Sequence, residues 1–304
     1  MTTAQSTAPR RRRLTPARMR GRAAPYLFVA PFVLIFLAFS IYPLIFTGQL
    51  SFTNWRGAGT AQWIGWGNYI YLLRNPDFWH SLGNSAILWV LIIPVQMLLA
   101  LIVAVLLNDA TLRLRGMYRV AFMVPYVMPL VAIAQIWVVL FDEKYGPVNA
   151  LLSLLGLPDI GWLTTSQWSK PTLALLFLWK TTGFIVIILL SGLQAIDASL
   201  YEAAEVDGAS APRMFVSLTV PLLRPTIMFA VVIQTIAVFQ MFAEPYNVTQ
   251  GGPYGSTTTA GYYLYNHITR GDLGTGAANS FLLIIVVMAI SVLFARVLTP
   301  KDRS

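Results

Sequence analysis

Apolar residues gather into long runs without charge. The stretches 23–55, 81–108, 120–141, 225–243 and 273–295 hold no Asp, Glu, Lys or Arg, and 171–196 holds only Lys180. Each supplies the ~20 apolar residues that cross a bilayer. Spans are predicted at roughly 25–47, 83–107, 119–141, 171–193, 222–244 and 275–297. Backbone groups in hydrocarbon must find partners within their own segment, so these spans read as helices. The predicted fold class is an all-α membrane protein with six transmembrane helices. Pro31, Pro43, Pro94, Pro125 and Pro129 fall in or beside spans, where kinks are expected. No internal repeat is evident, which weighs against an inverted-repeat carrier.

The intervals between spans set the domains and the orientation. Residues 1–22 are polar and basic and read as a disordered cytoplasmic tail; 23–304 read as a single transmembrane domain, with an uncleaved first span. Of the 21 Lys and Arg, five (Arg56, Arg74, Lys144, Lys170, Arg270) fall in loops on one side of the predicted spans. Lys180 lies inside a span, and the remaining fifteen fall on the other side. This bias places both termini and the loop 197–225 in the cytoplasm.

Composition narrows the chemistry. At 57% hydrophobic, 11% charged and a mean hydropathy of +0.65, the chain carries more apolar surface than a soluble domain of 304 residues could bury. It has no cysteine and two histidines, His80 and His267, so thiolate and histidine-cluster metal sites are not expected. The spans hold no paired carboxylates or serine-based motif, and no catalytic residue is assigned. The net charge of +9 follows the span flanks and needs no nucleic-acid partner. The outer interval 48–80 is aromatic, as interfacial belts are.

Lys180 lies nine residues beyond Pro171, roughly 13 Å deep in its span, where a charge costs about 2.5 to 3.5 kcal/mol and should face a cavity or a partner. Gln234 lies ten residues before Glu244, about 15 Å, at a similar depth. Gln234, Ala237, Met241 and Glu244 are spaced to share one helical face, as are Thr181, Phe184 and Ile188. Polar groups beside an aromatic ring at mid-depth suit a sugar, and equally suit hydrogen bonding between packed helices.

The polar interval Tyr201–Pro225 reads as a short helix, a turn at Asp207-Gly208 and a second helix from Pro212. Ser199 with Glu202 forms a capping-box pattern, and Pro221 and Pro225 are expected to redirect the chain. Glu202-Ala203-Ala204, three further residues, Gly208, nine further residues and then Leu218-x-Val220-Pro221 closely resemble the EAA loop of binding-protein-dependent ABC transporter permeases. Looser matches at Ile64–Tyr69, Lys144-Tyr145-Gly146 and Gly251-Gly252-Pro253 resemble the maltose-type, carbohydrate-uptake branch. The resemblance implies that Glu202, Ala203, Ala204, Gly208, Leu218 and Pro221 belong to a coupling element that docks into a separate ATPase subunit. It further implies a bacterial inner-membrane complex of this chain with a second permease, two ATPase subunits and an extracytoplasmic substrate-binding protein, importing an oligosaccharide or sugar derivative by alternating access. This chain has no G-x-x-x-x-G-K-[ST] loop, so ATP and Mg are expected on the partner subunits and no cofactor here. The alternative is an ion-coupled carrier or channel without an ATPase, using Lys180 and Glu244.

Overall fold

A computed structural model describes residues 16–109 and 111–298, which fall into two compact units that meet between Leu50 and Ser51 in the sequence. In the first unit, α1 (Pro16–Phe36) passes through a π-helical turn (Leu37–Ile41) into α2 (Tyr42–Leu50). Tyr26–Leu50 is an apolar span of mean hydropathy 2.4. Residues 1–15 of the expected tail lie outside the described residues. Residues 16–22 are helical, a correction to the boundary expected at residue 22. Proline suits a first helical turn, and the alanines, arginines and methionine that follow are strong helix formers.

The second unit runs α3 (Gly67–Arg74), α4 (Pro76–Asn108), α5 (Arg115–Val127), α6 (Leu130–Leu140), α7 (Pro147–Leu154) and α8 (Ser166–Gln194). It continues with α9 (Ala198–Val206), α10 (Ala211–Met214), a π-helical turn (Phe215–Thr219) and α11 (Val220–Phe239). The last elements are α12 (Ala243–Val248), α13 (Ala260–Thr269) and α14 (Leu273–Leu298). Five helical stretches are long and apolar enough to cross a membrane, and α5 with α6 make a sixth if counted as one span broken by 90°. The break falls at Met128 (φ −66°, ψ 142°) ahead of Pro129. A residue before proline is pushed out of the helical region, so the chain turns there.

Prolines also explain both π turns. Tyr42 N–H reaches back five residues to the Leu37 carbonyl one residue before Pro43, and Val220 N–H does the same to Phe215 before Pro221. A proline ring would collide with the carbonyl four residues back, and the wider turn relieves that contact. The expected redirection at Pro221 and Pro225 is therefore corrected: 211–239 continues as a single span.

The centre of the second unit is α8, the most buried span, which packs against α4, α5, α11 and α12. One core cluster gathers Leu88, Ile92, Ile133, Leu173, Leu176 and Val238; another gathers Ala100, Ala104, Ile185, Leu189 and Leu223. Gly183 permits the closest approach: a Cβ there would lie 1.8 Å from the Phe122 carbonyl oxygen, so α5 rides directly on α8.

Candidate functional site

The loop between α8 and α11 is built as a pair of short helices. The Asp197 carboxylate caps α9 by accepting from Ser199 N–H at 3.0 Å. This moves the cap two residues ahead of Ser199, because the longer reach of Asp to the N2 amide leaves Ser199 inside the first turn. At the other end Gly208 N–H donates to Glu205 O at 3.0 Å and Ala209 N–H to Ala204 O at 2.9 Å, the paired bonds of a Schellman motif. Gly208 sits at φ +74°, with open space where a Cβ would project, so the backbone and not crowding calls for glycine. Pro212 lies in the first turn of α10. Tyr201 Oη and Thr219 Oγ1, 3.0 Å apart, tie α9 to the π turn.

The face this pair offers is partly apolar. Val206 is 89% exposed at the tip, and Val216 and Leu200 are also exposed. Glu202, Ala203 and Gly208 are exposed, while Ala204, Leu218 and Pro221 are half-buried.

Within the membrane-spanning helices, the remaining candidates separate. Thr181 Oγ1 donates to the Phe177 carbonyl (2.7 Å) and accepts from Gln96 Nε2 (2.7 Å) and Gln234 Nε2 (3.3 Å). All three side chains are buried, so α4, α8 and α11 are pinned together at one point. Gln96, the third member, carried no mark in the sequence beyond being an amide in a charge-free run. Nearby, Trp89 Nε1 donates to Thr235 Oγ1 at 2.9 Å and repeats the link between α4 and α11.

The shared face expected for Gln234, Ala237, Met241 and Glu244 does not form. Helix α11 ends at Phe239, and Glu244 belongs to the separate α12. Met241 packs in the core, its carbonyl accepting from Thr259 Oγ1, and Ala237 is half-buried. The chain breaks there because Gly261 packs against the Gln240 carbonyl, closing α13 over the end of α11. Glu244 is thereby brought to Lys180, Oε1 to Nζ 3.6 Å, with side-chain exposures of 8% and 16%. Phe184, one turn beyond Lys180, stacks on Tyr126 of α5 with centroids 4.7 Å apart and planes at 7°. Lys180 and Phe184 stay half-buried, while Thr181, Gln234, Met241 and Glu244 are buried.

No metal site is suggested: among the described residues no three His, Cys, Asp or Glu side chains cluster.

Comparison with known proteins fits this architecture. Residues 96–303 match the model of the family described as binding-protein-dependent transport system inner membrane component. The chain is 33% identical over 285 residues to the sulfoquinovosyl glycerol transport system permease protein SmoG of Agrobacterium fabrum, covering 92% of each chain. It is 36% identical to the lactose transport system permease protein LacF of Rhizobium radiobacter, covering 88% of this chain and 91% of that one. It is 33% identical to the trehalose/maltose transport system permease protein MalF of Thermococcus litoralis, covering 90% and 92%. In fold it is similar to a bacterial ABC transporter involved in the import of the acidic polysaccharide alginate, with a TM-score of 0.79 at 23% identity over 93% of this chain and 97% of that one. Five long apolar helical stretches with the bent pair α5–α6, a capped helical pair between α8 and α11 and a match across residues 96–303 lead to one assignment: the chain belongs to the binding-protein-dependent transport system inner membrane component family.

Proposed function

We propose that this chain is the permease subunit of an ATP-driven importer that carries a carbohydrate into the cytoplasm. The α9–α10 pair docks into one of two separate ATPase subunits, and a second permease completes the pore. The observation that carries this reading is the exposed tip at Val206 on a short helix rigidly closed by the Schellman turn at Gly208. A lever needs a stiff arm and an uncovered apolar end, and a valine 89% exposed at the end of a capped helix supplies both. Glu202, Ala203, Ala204 and Gly208 form the docking element; Leu218 and Pro221 join it to the span.

In this cycle, closure of the ATPases on ATP and Mg pushes the lever, and α11, continuous with α10 through the π turn, transmits the motion to the helices around Thr181. The membrane bundle then rocks between inward- and outward-facing states, and an extracytoplasmic binding protein delivers the sugar. Both termini lie in the cytoplasm. The relatives named for lactose, trehalose/maltose and sulfoquinovosyl glycerol support a carbohydrate or sugar derivative as cargo. Lys180, Phe184 and Ala237, which keep partial exposure, are the candidates for direct contact with substrate. Thr181, Gln234, Met241 and Glu244 act behind that surface.

An ion-coupled carrier would also use a membrane-embedded pair such as Lys180 and Glu244, and the two readings part on ATP. Detergent extraction is expected to bring an ATPase down with this chain, and Gly208→Trp is expected to abolish ATP-linked uptake at unchanged expression. Uptake that persists with no ATPase bound would refute the proposal.

A further inference from the structure

A groove of about 540 Å³ lies between the end of α4 and the start of α5, outside the regions discussed so far. Its wall is apolar, with Val103, Leu106 and Leu107 from α4 and Tyr118 and Phe122 from α5, and Arg113 stands at its rim. Leu106 is 61% exposed, so the apolar trough is open among the described residues of its unit. The trough runs along the ends of two helices that lie in apolar spans.

Three arginines, Arg113, Arg115 and Arg119, fall within seven residues here. Among the described residues the ion pairs are Lys180 with Glu244 and His267 with Asp272, so none of these arginines has a carboxylate partner. Arg119 reaches the Leu107 carbonyl with Nη2 at 3.4 Å, while its Nε is buried without a hydrogen-bond partner. The acid at the groove, Asp109, is turned back on its own loop: its Oδ1 accepts from Thr111 N–H and from Thr111 Oγ1, both at 2.8 Å. Uncompensated positive charge at the mouth of an apolar trough calls for a ligand with an anionic head and a hydrocarbon tail. A soluble anion would leave the trough empty, and a neutral lipid would leave the arginines unpaired.

We propose that this groove seats an anionic phospholipid, with its phosphate at Arg113 in the field of Arg115 and Arg119 and an acyl chain along Val103, Leu106, Tyr118 and Phe122. The site is independent of which sugar is carried.

The test uses the full chain with a benzophenone amino acid at Leu106, irradiated first in native membranes and then in vesicles of phosphatidylcholine with or without phosphatidylglycerol. The expected product is a lipid adduct, read by mass. Its yield with phosphatidylglycerol should exceed that in phosphatidylcholine alone and fall about fivefold for Arg113→Gln, from the electrostatic gain of one basic residue at an anionic surface. Arg113 is exposed, so its replacement leaves the fold intact, and Val103→Trp, which fills the trough without touching an arginine, should lower the yield as well. A cross-link to another protein chain in native membranes would overturn the proposal, because the face would then be a subunit interface. So would a yield indifferent to phosphatidylglycerol and to Arg113→Gln, or one abolished by inorganic phosphate.

Discussion

Replacing Thr181 by valine tests whether the buried trio is structural or touches substrate. The threonine hydroxyl has one proton and two acceptor positions, and all three are used, on Phe177 O, Gln96 Nε2 and Gln234 Nε2. Valine keeps the shape and removes all three bonds. Two amide groups are then left facing a methyl in a site from which water is excluded, and Gln96 Oε1 already lacks a partner. An unmet buried donor costs about 1–3 kcal/mol in soluble proteins. Hydrogen bonds between membrane helices average about 0.6 kcal/mol and reach about 1.7. Taking the 2.7 Å bond to Gln96 near the upper membrane figure and the 3.3 Å bond to Gln234 near the mean gives about 2 kcal/mol for Thr181→Val. The assay is reversible unfolding of the purified chain in mixed micelles titrated with denaturing detergent. Thr181→Ser keeps the hydroxyl and is expected to lose about 1 kcal/mol or less, the worth of one methyl. Thr181→Val with Gln96→Leu is expected to recover stability, since no donor from Gln96 then goes unmet. If the trio is structural, the apparent affinity for substrate in ATP-linked uptake stays unchanged in Thr181→Val transporters that assemble. A Thr181→Val chain within about 0.5 kcal/mol of the wild type would refute the reasoning, as would a serine variant as damaged as the valine one.

Three further outcomes are expected. Gly183→Ala must push α5 from α8, because its Cβ would fall 1.8 Å from a backbone oxygen that cannot swing away; the loss is expected at the upper end of overpacking costs, about 3 kcal/mol, and a variant of wild-type stability would show that the helices do not meet there. Lys180→Met alone strands Glu244 and is expected to cost about 3 kcal/mol, the low end for a broken buried pair since the lysine side chain is 16% exposed, while Lys180→Met with Glu244→Gln recovers most of it; a double variant as unstable as the single one would deny the pairing. Burial first, then the neighbouring phenol of Tyr71 and carboxylates of Asp77 and Asp272, raise the Tyr263 phenol to about 12, against the opposing pull of Arg270. Its contribution to stability is therefore whole below about pH 10, the value in the unfolded chain, and is lost as pH rises towards 12; phenolate absorbance that ascribes ionisation to Tyr263 near pH 10, by difference from Tyr263→Phe, would contradict this.

Much of the fold was open to a reader of the sequence because bilayer crossing imposes a simple requirement. Charge-free runs of about twenty residues leave few options, and five of the six expected spans match single helical stretches with shifted ends. The third, 119–141, is the exception, and Pro129 at its break was among the prolines marked for a kink. The α9–α10 pair was legible for a related reason: capping and glycine turns are local rules, and Gly208 obeys them whatever packs nearby. The cap itself was misplaced by two residues because Asp197 and Ser199 both satisfy the rule, and only the backbone decides between them.

What the sequence hid was the end of α11, and that one break reorganises the site. Hydropathy runs on through Met241, Phe242 and Ala243, so a helix continued to Glu244 was the natural expectation. On such a helix Glu244 would stand about 15 Å along the axis from Gln234. Gln234 is bonded to Thr181, the neighbour of Lys180, so a straight α11 would carry the backbone of Glu244 well beyond the level of Lys180. A lone charge at that depth costs about 2.5–3.5 kcal/mol. Ending α11 at Phe239 folds Glu244 back to 3.6 Å from Lys180. The residues that enforce the break, Thr259 and Gly261, lie some twenty positions downstream, where no window scanning the fifth span would weigh them. Hydropathy reports only whether a residue tolerates lipid, and the ionic pair required a contact between segments that each read as self-sufficient. The same blindness explains Gln96: its amide acquires a role only when three helices converge on one hydroxyl.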